Sequence, residues 1–221
     1  MTIDPVEFIC AQTQLDSPSA VPEIYLQLAS PDTPLWHMTE ERLKQVDLPP
    51  PFWAFAWPGG QGMARYLFDH PEQVRGKRVL DFAAGSGIAA IAAMVAGAKE
   101  AIAVDIDPLA LHAVELNAAH NKVEVKIGGV TDLTKPYTKA DVILAGDICY
   151  DQAISTSVTR WLRLCVEAGV EVLIADPGRA YVPQVGMVKL ARYDVPTSRD
   201  IEGDTIRTVL VWRMKEEIDK Q

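Results

Sequence analysis

The chain predicts an α/β fold: a mostly parallel sheet with one antiparallel strand. Three observations lead there. Short apolar runs alternate with helical stretches from residue 78 onward. The first of these strands ends in a glycine-rich turn, and the second ends in an acid. Strands separated by helices require right-handed crossovers and therefore parallel neighbours.

The elements follow in order. Residues 60–69 read as a helix. Arg78-Val-Leu-Asp-Phe82 reads as a short buried strand, and Gly87 to Ala96 as a helix of small residues with Gly97 at its C-terminal cap. Ala101 to Asp105 is the second strand. Asp107-Pro108 is a strong helix start, with Asp as N-cap and Pro at the first helical position, and that helix runs to about His120. Val123–Ile127 is the third strand and Asp141–Gly146 the fourth. A helix from about Gln152 to Cys165 precedes the fifth strand, Val170–Ala175. Two alternating runs, Met187–Val195 and Thr205–Arg213, are joined by the turn-rich segment 196–204 and are expected to pair as a hairpin.

Residues 1–50 are set apart from the domain expected over 51–221. Nine of the fifteen prolines precede residue 60, so the first fifty residues read as an arm with little regular helix. This arm holds eight acidic and two basic side chains, within a total formal charge of −9. Such a balance speaks against a protein that grips nucleic acid by neutralising phosphates. Besides aiding solubility, the acidic arm suits a basic partner. Three cysteines and four histidines form no ligand pattern, so reduced thiols and no metal are expected. The start MTIDPVEFIC lacks the basic region of a signal peptide, and the longest apolar stretch, 87–98, is too short to span a bilayer. A cytoplasmic monomer without membrane partners is the expectation.

In such a sheet the ligand lies beyond the carboxyl ends of the strands. After the first strand comes Asp81-Phe-Ala-Ala-Gly85-Ser-Gly87, whose glycines permit a tight turn and close backbone approach. Asp105, 18 residues past Gly87, can accept hydrogen bonds from a ribose diol. Gly85-Ser-Gly87-Ile-Ala-Ala90 also fits the dinucleotide form of this fingerprint, so an NAD(P)-dependent oxidoreductase competes. Asp81 weighs against it, since a carboxylate there repels a pyrophosphate and attracts the ammonium of a methionine moiety. The fourth strand ends in Gly146-Asp147-Ile-Cys-Tyr150, placing Asp147 where the site should open and Tyr150 where it can return over it. Upstream, Trp53, Phe55 and Trp57 alternate. Alternation usually means half-buried packing, but aromatic faces also suit a sulfonium and an adenine, and Trp57 is the best placed. The fifth strand ends in Asp176-Pro-Gly-Arg179, either a turn with a surface arginine or a rim loop that orients a macromolecular substrate.

Together these motifs resemble the seven-strand protein lysine methyltransferases, and within them the family that methylates lysines of the electron-transfer flavoprotein β-subunit. The similarity covers roughly residues 50–213 and rests on Trp57-Pro-Gly-Gly-Gln61, Val79-Leu-Asp81, Gly85-Ser-Gly87, Asp105-Ile-Asp-Pro108, Gly146-Asp-Ile-Cys-Tyr150 and Asp176-Pro-Gly-Arg179. Ala83 departs from the pattern, which usually has glycine there. The resemblance implies a Rossmann-like fold that binds S-adenosylmethionine (AdoMet). Asp81, Gly85 and Gly87 would face its methionine part, Asp105 its ribose, and Gly129 its adenine, with Trp57 flanking the cofactor. Gly146 and Asp147 would border the methyl group, with Tyr150 lining a lysine channel and Arg179 meeting the protein substrate. The implied acceptor is the flavoprotein β-subunit. The alternatives are ribosomal or other basic proteins, or a small molecule.

Overall fold

The computed structural model describes residues 4–37 and 50–216. Two short strands, β1 (Gln14–Asp16) and β2 (Leu26–Leu28), form an antiparallel ribbon. Seven further strands among the described residues build the central sheet. They are β3 (Arg78–Phe82), β4 (Glu100–Val104), β5 (Lys126–Ile127), β6 (Val142–Gly146), β7 (Glu171–Asp176), β8 (Met187–Pro196) and β9 (Ile206–Met214), side by side in the order β5-β4-β3-β6-β7-β9-β8. Strands β3 to β7 run parallel, and β9 is antiparallel to both β7 and β8. The expected hairpin at the end of the chain thus supplies the one antiparallel strand. The helices are α1 (Pro5–Gln12), α2 (Pro58–Asp69), α3 (Ile88–Val95), α4 (Pro108–His120), α5 (Gln152–Glu167) and the single turn α6 (Arg199–Glu202).

Strand alternation sorts the core into two layers. Val79, Leu144, Leu173 and Ala175 face α2, α3 and α4, together with Met63, Leu67, Ile91 and Val114. Leu80, Ile143, Val172 and Ile174 face α5, where Trp161, Leu162 and Cys165 cover them. Asp81 lies two residues after Val79 and so shares the α3 side. The helix starts behave as their sequences dictate. Asp107 accepts the Leu109 N–H, Asp151 accepts the Ile154 N–H, and Pro108 occupies the first turn. Among the described residues no helix is long and apolar enough to cross a membrane.

Three elements differ from expectation. The third strand is two residues long, because it lies at the sheet edge and pairs only with Ile102 and Ala103 of β4. Segment 196–204 contains α6, capped by the Ser198 side chain. The start of the chain carries a true helix: Asp4 accepts from Val6 and Glu7, with Pro5 at the first position. This is the same Asp-Pro signal that opens α4. The early segment is also docked. Ile9, Val21, Ile24 and Leu26 are fully buried, the last three within the core that α2 and α3 share. The acidic stretch 38–49 lies outside the described residues.

Candidate active site

The turn after β3 is built from unusual backbone. Ala83, Gly85 and Gly87 have φ of +55°, +52° and +78°. At Ala83 the left-handed conformation costs about 1–2 kcal/mol, a strain that the glycine usual at this position avoids. Gly87 is required twice, since an added Cβ would also come within 2.9 Å of Val114. Two side chains pin the turn. Asp105 accepts the Gly85 N–H at 2.9 Å, and the Asn117 amide donates to the Ser86 carbonyl at 2.9 Å. Asp81 is buried and accepts the N–H of Ala90 in the first turn of α3 at 2.9 Å. Burial lifts its carboxyl to about 8, against the pull of that N–H and with help from the nearby Asp105 charge.

Beyond β6 the geometry is equally tight. Asp147 has φ +54° and donates its N–H to Ala175 at 3.0 Å. One carboxylate oxygen accepts the Gly60 N–H at 3.0 Å, in the first turn of α2. Asp81 and Asp147 therefore each sit at a helix N-terminus, where the free amides favour negative charge. The approach needs the glycines of Trp57-Pro-Gly-Gly60. A Cβ at Gly59 would come within 2.5 Å of both the Ala175 carbonyl and the Asp147 carboxylate, and one at Gly146 within 3.2 Å of the Gly60 nitrogen.

Arg179 does not stand free on a rim. Its guanidinium bonds Asp147 at 3.0 Å and Glu202 of α6 at 2.9 Å. Glu202 also pairs with Arg207 at 3.2 Å. The side chains of Arg179, Asp147 and Glu202 are 18%, 12% and 4% exposed. Fully buried Asp176 holds the loop by accepting the N–H groups of Gly178 and Arg179. Burial lifts the Asp147 carboxyl to about 7, with Arg179 pulling the other way. Burial and the two nearby aspartates push the Cys149 thiol up to about 12, so it stays protonated.

The aromatic run divides. Trp53 is buried in a third apolar cluster, against α4 and Leu35. Trp57 donates its ring N–H to the Phe52 carbonyl at 2.8 Å and packs at 5.7 Å from Phe55. The Arg179 guanidinium lies 5.8 Å from the Trp57 ring centre. Tyr150 is 48% exposed and packs tilted against Phe52, with the ring centres 5.7 Å apart.

A cavity of about 50 Å³ gathers Phe55, Trp57, Asp81, Gly85, Gly146 and Asp147 among its walls. Of the residues singled out from sequence it brings together Trp57, Asp81, Gly85, Gly146 and Asp147. Gly87, Asp105, Tyr150 and Arg179 stand around it rather than on its wall. Gly129 is exposed with open space where a Cβ would sit, whereas a Cβ at Gly128 would reach 2.6 Å from Val104. The sterically demanding glycine of that loop is the one before. Sequence reasoning missed Asn117, Gly128 and Glu202. The Gly-Gly pair at 128–129 offers a weak signal, but nothing local to Asn117 or Glu202 marks them. A larger groove of about 320 Å³ shares Phe55 and Trp57 with the cavity and extends past Trp36, Gln61 and Glu202.

Comparison with known proteins adds to this geometry. The electron transfer flavoprotein beta subunit lysine methyltransferase of Danio rerio is 37% identical over 219 residues, spanning 93% of this chain and 81% of that protein. Its namesake in Rattus norvegicus is 39% identical over 202 residues, spanning 89% and 78%. The family model of ribosomal protein L11 methyltransferase matches residues 67–154. Among solved structures, a Thermoplasma acidophilum protein superposes with a TM-score of 0.53 at 16% identity, covering 72% of this chain and 90% of its own. A Pyrococcus horikoshii protein whose name describes an RNA methyltransferase gives 0.53 at 18%, covering 77% and 91%. At those identities the likeness is one of fold.

Proposed function

This chain belongs to the electron transfer flavoprotein beta subunit lysine methyltransferase family, and from that premise we propose that it moves a methyl group from AdoMet to lysines of the flavoprotein β-subunit. The single observation that carries the reading is the convergence of Asp81, Trp57 and Asp147, from three separate segments, on one cavity.

The residues fit the cofactor. Among the described residues no Lys or Arg side chain pairs with Asp81, so its buried carboxyl suits the ammonium of the methionine part. The cavity has room for that end, while Asp105 keeps lone pairs for the ribose diol beside the bonds it accepts from Gly85 and Asp107. The faces of Trp57 and Phe55 suit a cation. When bound, AdoMet supplies an electrophilic methyl carried on a sulfonium.

The acceptor amine must be neutral to attack. With a pKa near 10.4, only about one lysine in two thousand is neutral at pH 7. Phe52, Trp57 and Tyr150 offer apolar faces around the opening, and desolvation there lowers that pKa. Asp147 is held rigidly by Gly60 and Arg179 and accepts a hydrogen bond from the incoming amine, which orients its lone pair. Alignment of this kind is worth several kcal/mol. Residues 1–50 are assigned to meeting the acceptor protein, and the domain over 51–221 to cofactor, chemistry and the rest of the acceptor surface.

A ribosomal protein is the less favoured acceptor. The match to that family stops at residue 154, before Asp176 and Arg179, and a relative from Alteromonas mediterranea aligns over only 34% of its own length. The test is incubation with labelled AdoMet and purified electron transfer flavoprotein, followed by mass spectrometry. Label on β-subunit lysines is expected, and Asp147→Ala should abolish it while leaving most AdoMet binding intact. An unmodified β-subunit overturns the substrate assignment.

A further inference from the structure

The groove of about 320 Å³ has one long wall from the β1–β2 loop, Asp16 to Ser19, and the other from the β8–β9 connection, Pro196 to Glu202. Phe55 and Trp57 line it as well, the same two residues that line the cofactor cavity. A chain lying in the groove therefore shares two aromatic residues with the cavity.

Both walls are fixed before anything binds. Gln61 in α2 accepts the Ala20 N–H at 3.3 Å and donates to the Ala56 carbonyl at 2.7 Å, tying the first wall to the segment that carries Phe55 and Trp57. On the second wall, Thr197 bonds Thr205 through its N–H and the Asp204 carbonyl through its hydroxyl. Glu202 is clamped between Arg179 and Arg207. Preformed walls spare the ordering cost of binding.

The charge of the groove is one-sided. Among the described residues no lysine or arginine lines it. Its two acids differ: Glu202 is neutralised by its arginines, whereas among the described residues Asp16 is exposed and bonds only the N–H of Ser17. A cation entering near Asp16 meets attraction from its carboxylate. The remaining walls are hydroxyls, prolines and the aromatic faces of Trp36, Phe55 and Trp57, which suit an extended backbone with alternating apolar and basic side chains.

We propose that this groove receives the extended segment flanking the target lysine of the acceptor protein, and so selects which lysines reach Asp147. The proposal rests on the lysine-methyltransferase reading above. It assigns acceptor selection to the β1–β2 and β8–β9 loops, outside the region 67–154 shared with the ribosomal-protein methyltransferases.

The experiment places positive charge on the groove wall at exposed positions. Asp16→Lys and Ser19→Arg, singly and together, are compared with Glu167→Lys at the far end of α5 as a control of similar charge change. KM for the flavoprotein β-subunit should rise about tenfold in the double variant, the effect of losing roughly one charge-assisted contact. AdoMet binding by calorimetry and the thermal midpoint should stay at wild-type values. Glu167→Lys should move KM less than twofold, and the contrast should survive 0.3 M salt, where long-range steering is screened. KM within twofold of wild type in the folded double variant overturns the groove. If the wild-type enzyme labels a different protein, the substrate identity is wrong, and the same KM ratios on that labelled protein decide the groove.

Discussion

Asn117 sits fully buried in α4 and joins two parts of the molecule that are far apart in sequence. Its carbonyl oxygen accepts the Gln27 N–H of β2 at 2.7 Å, and its NH₂ donates to the Ser86 carbonyl in the glycine turn at 2.9 Å. Asn117→Ala removes both partners at once. It leaves a backbone N–H and a backbone C=O without bonds in surroundings where Gln27 and Ser86 are 7% and 3% exposed. Each orphaned group costs about 1–3 kcal/mol, so the variant should lose about 2–6 kcal/mol. For a domain of about 5–15 kcal/mol the protein stays folded at room temperature but close to its limit. Urea unfolding reads this directly: with a slope of about 1–3 kcal/mol per M, the midpoint should fall by at least about 0.7 M. Asn117→Asp separates the two bonds. It keeps an acceptor for Gln27 but turns a carboxylate toward the Ser86 carbonyl, so it should be no better than alanine. AdoMet affinity should also drop several-fold in both, because the turn has lost a tether. A midpoint within about 0.3 M of wild type in Asn117→Ala would refute the account of this side chain as the link between ribbon and turn.

Four further outcomes follow from the site. The Asp81 carboxyl, lifted to about 8, is mostly protonated at pH 6–7, and a bound ammonium favours its ionised form. AdoMet affinity measured by calorimetry should therefore rise with pH up to about 8 in the wild type and be flat in Asp81→Asn. The same shift means the folded state holds a proton that the unfolded chain loses near pH 4. Asp81 thus lowers stability progressively as pH climbs from about 4 to about 8, and Asp81→Asn should unfold at higher urea than wild type at pH 8 but not at pH 4. Arg179→Ala removes the one basic partner of the Asp147 carboxylate among the described residues, 12% exposed, and leaves Glu202, 4% exposed, with Arg207 alone, so a loss of about 3–5 kcal/mol in stability should accompany the loss of transfer. A stable, merely slower Arg179→Ala would mean the arginine acts on the acceptor alone. Gly59→Ala forces a Cβ to 2.5 Å from the Asp147 carboxylate and the Ala175 carbonyl, and should cut methyl transfer at least about a hundredfold while AdoMet binding changes less. Near-normal turnover would show that the carboxylate position is not critical.

Much of this molecule could be read along the chain. Strand β3 has its expected bounds, α4 starts at Asp107-Pro108 and stops at His120, and the terminal hairpin places an antiparallel strand in the sheet. Asp81, Gly85, Gly146, Asp147 and Trp57 were visible as well. Asp81, Gly85, Gly146 and Asp147 lie at or just past the carboxyl ends of β3 and β6, so topology sends them to the same place, and Trp57 joins them from the N-cap of α2. Such features depend on a few neighbouring residues: a cap, a period, a turn that only small residues allow.

What the sequence could not supply are partnerships between segments whose separation carries no local signal. Arg179 reads as a surface arginine or as a rim residue facing a macromolecular substrate until β6, β7 and the β8–β9 connection are packed, when it meets Asp147, 32 residues away, and Glu202, 23 away. Asn117 reads as one polar residue on a helix until β2, 90 residues earlier, presents its amide. The first fifty residues read as an arm because proline and charge dominate their composition. Yet Ile9, Ile24 and Leu26 find apolar faces on the folded domain and bury there. A buried charge or an open amide is costly unless a partner stands within about 3 Å, and only the tertiary structure decides which residue that partner is.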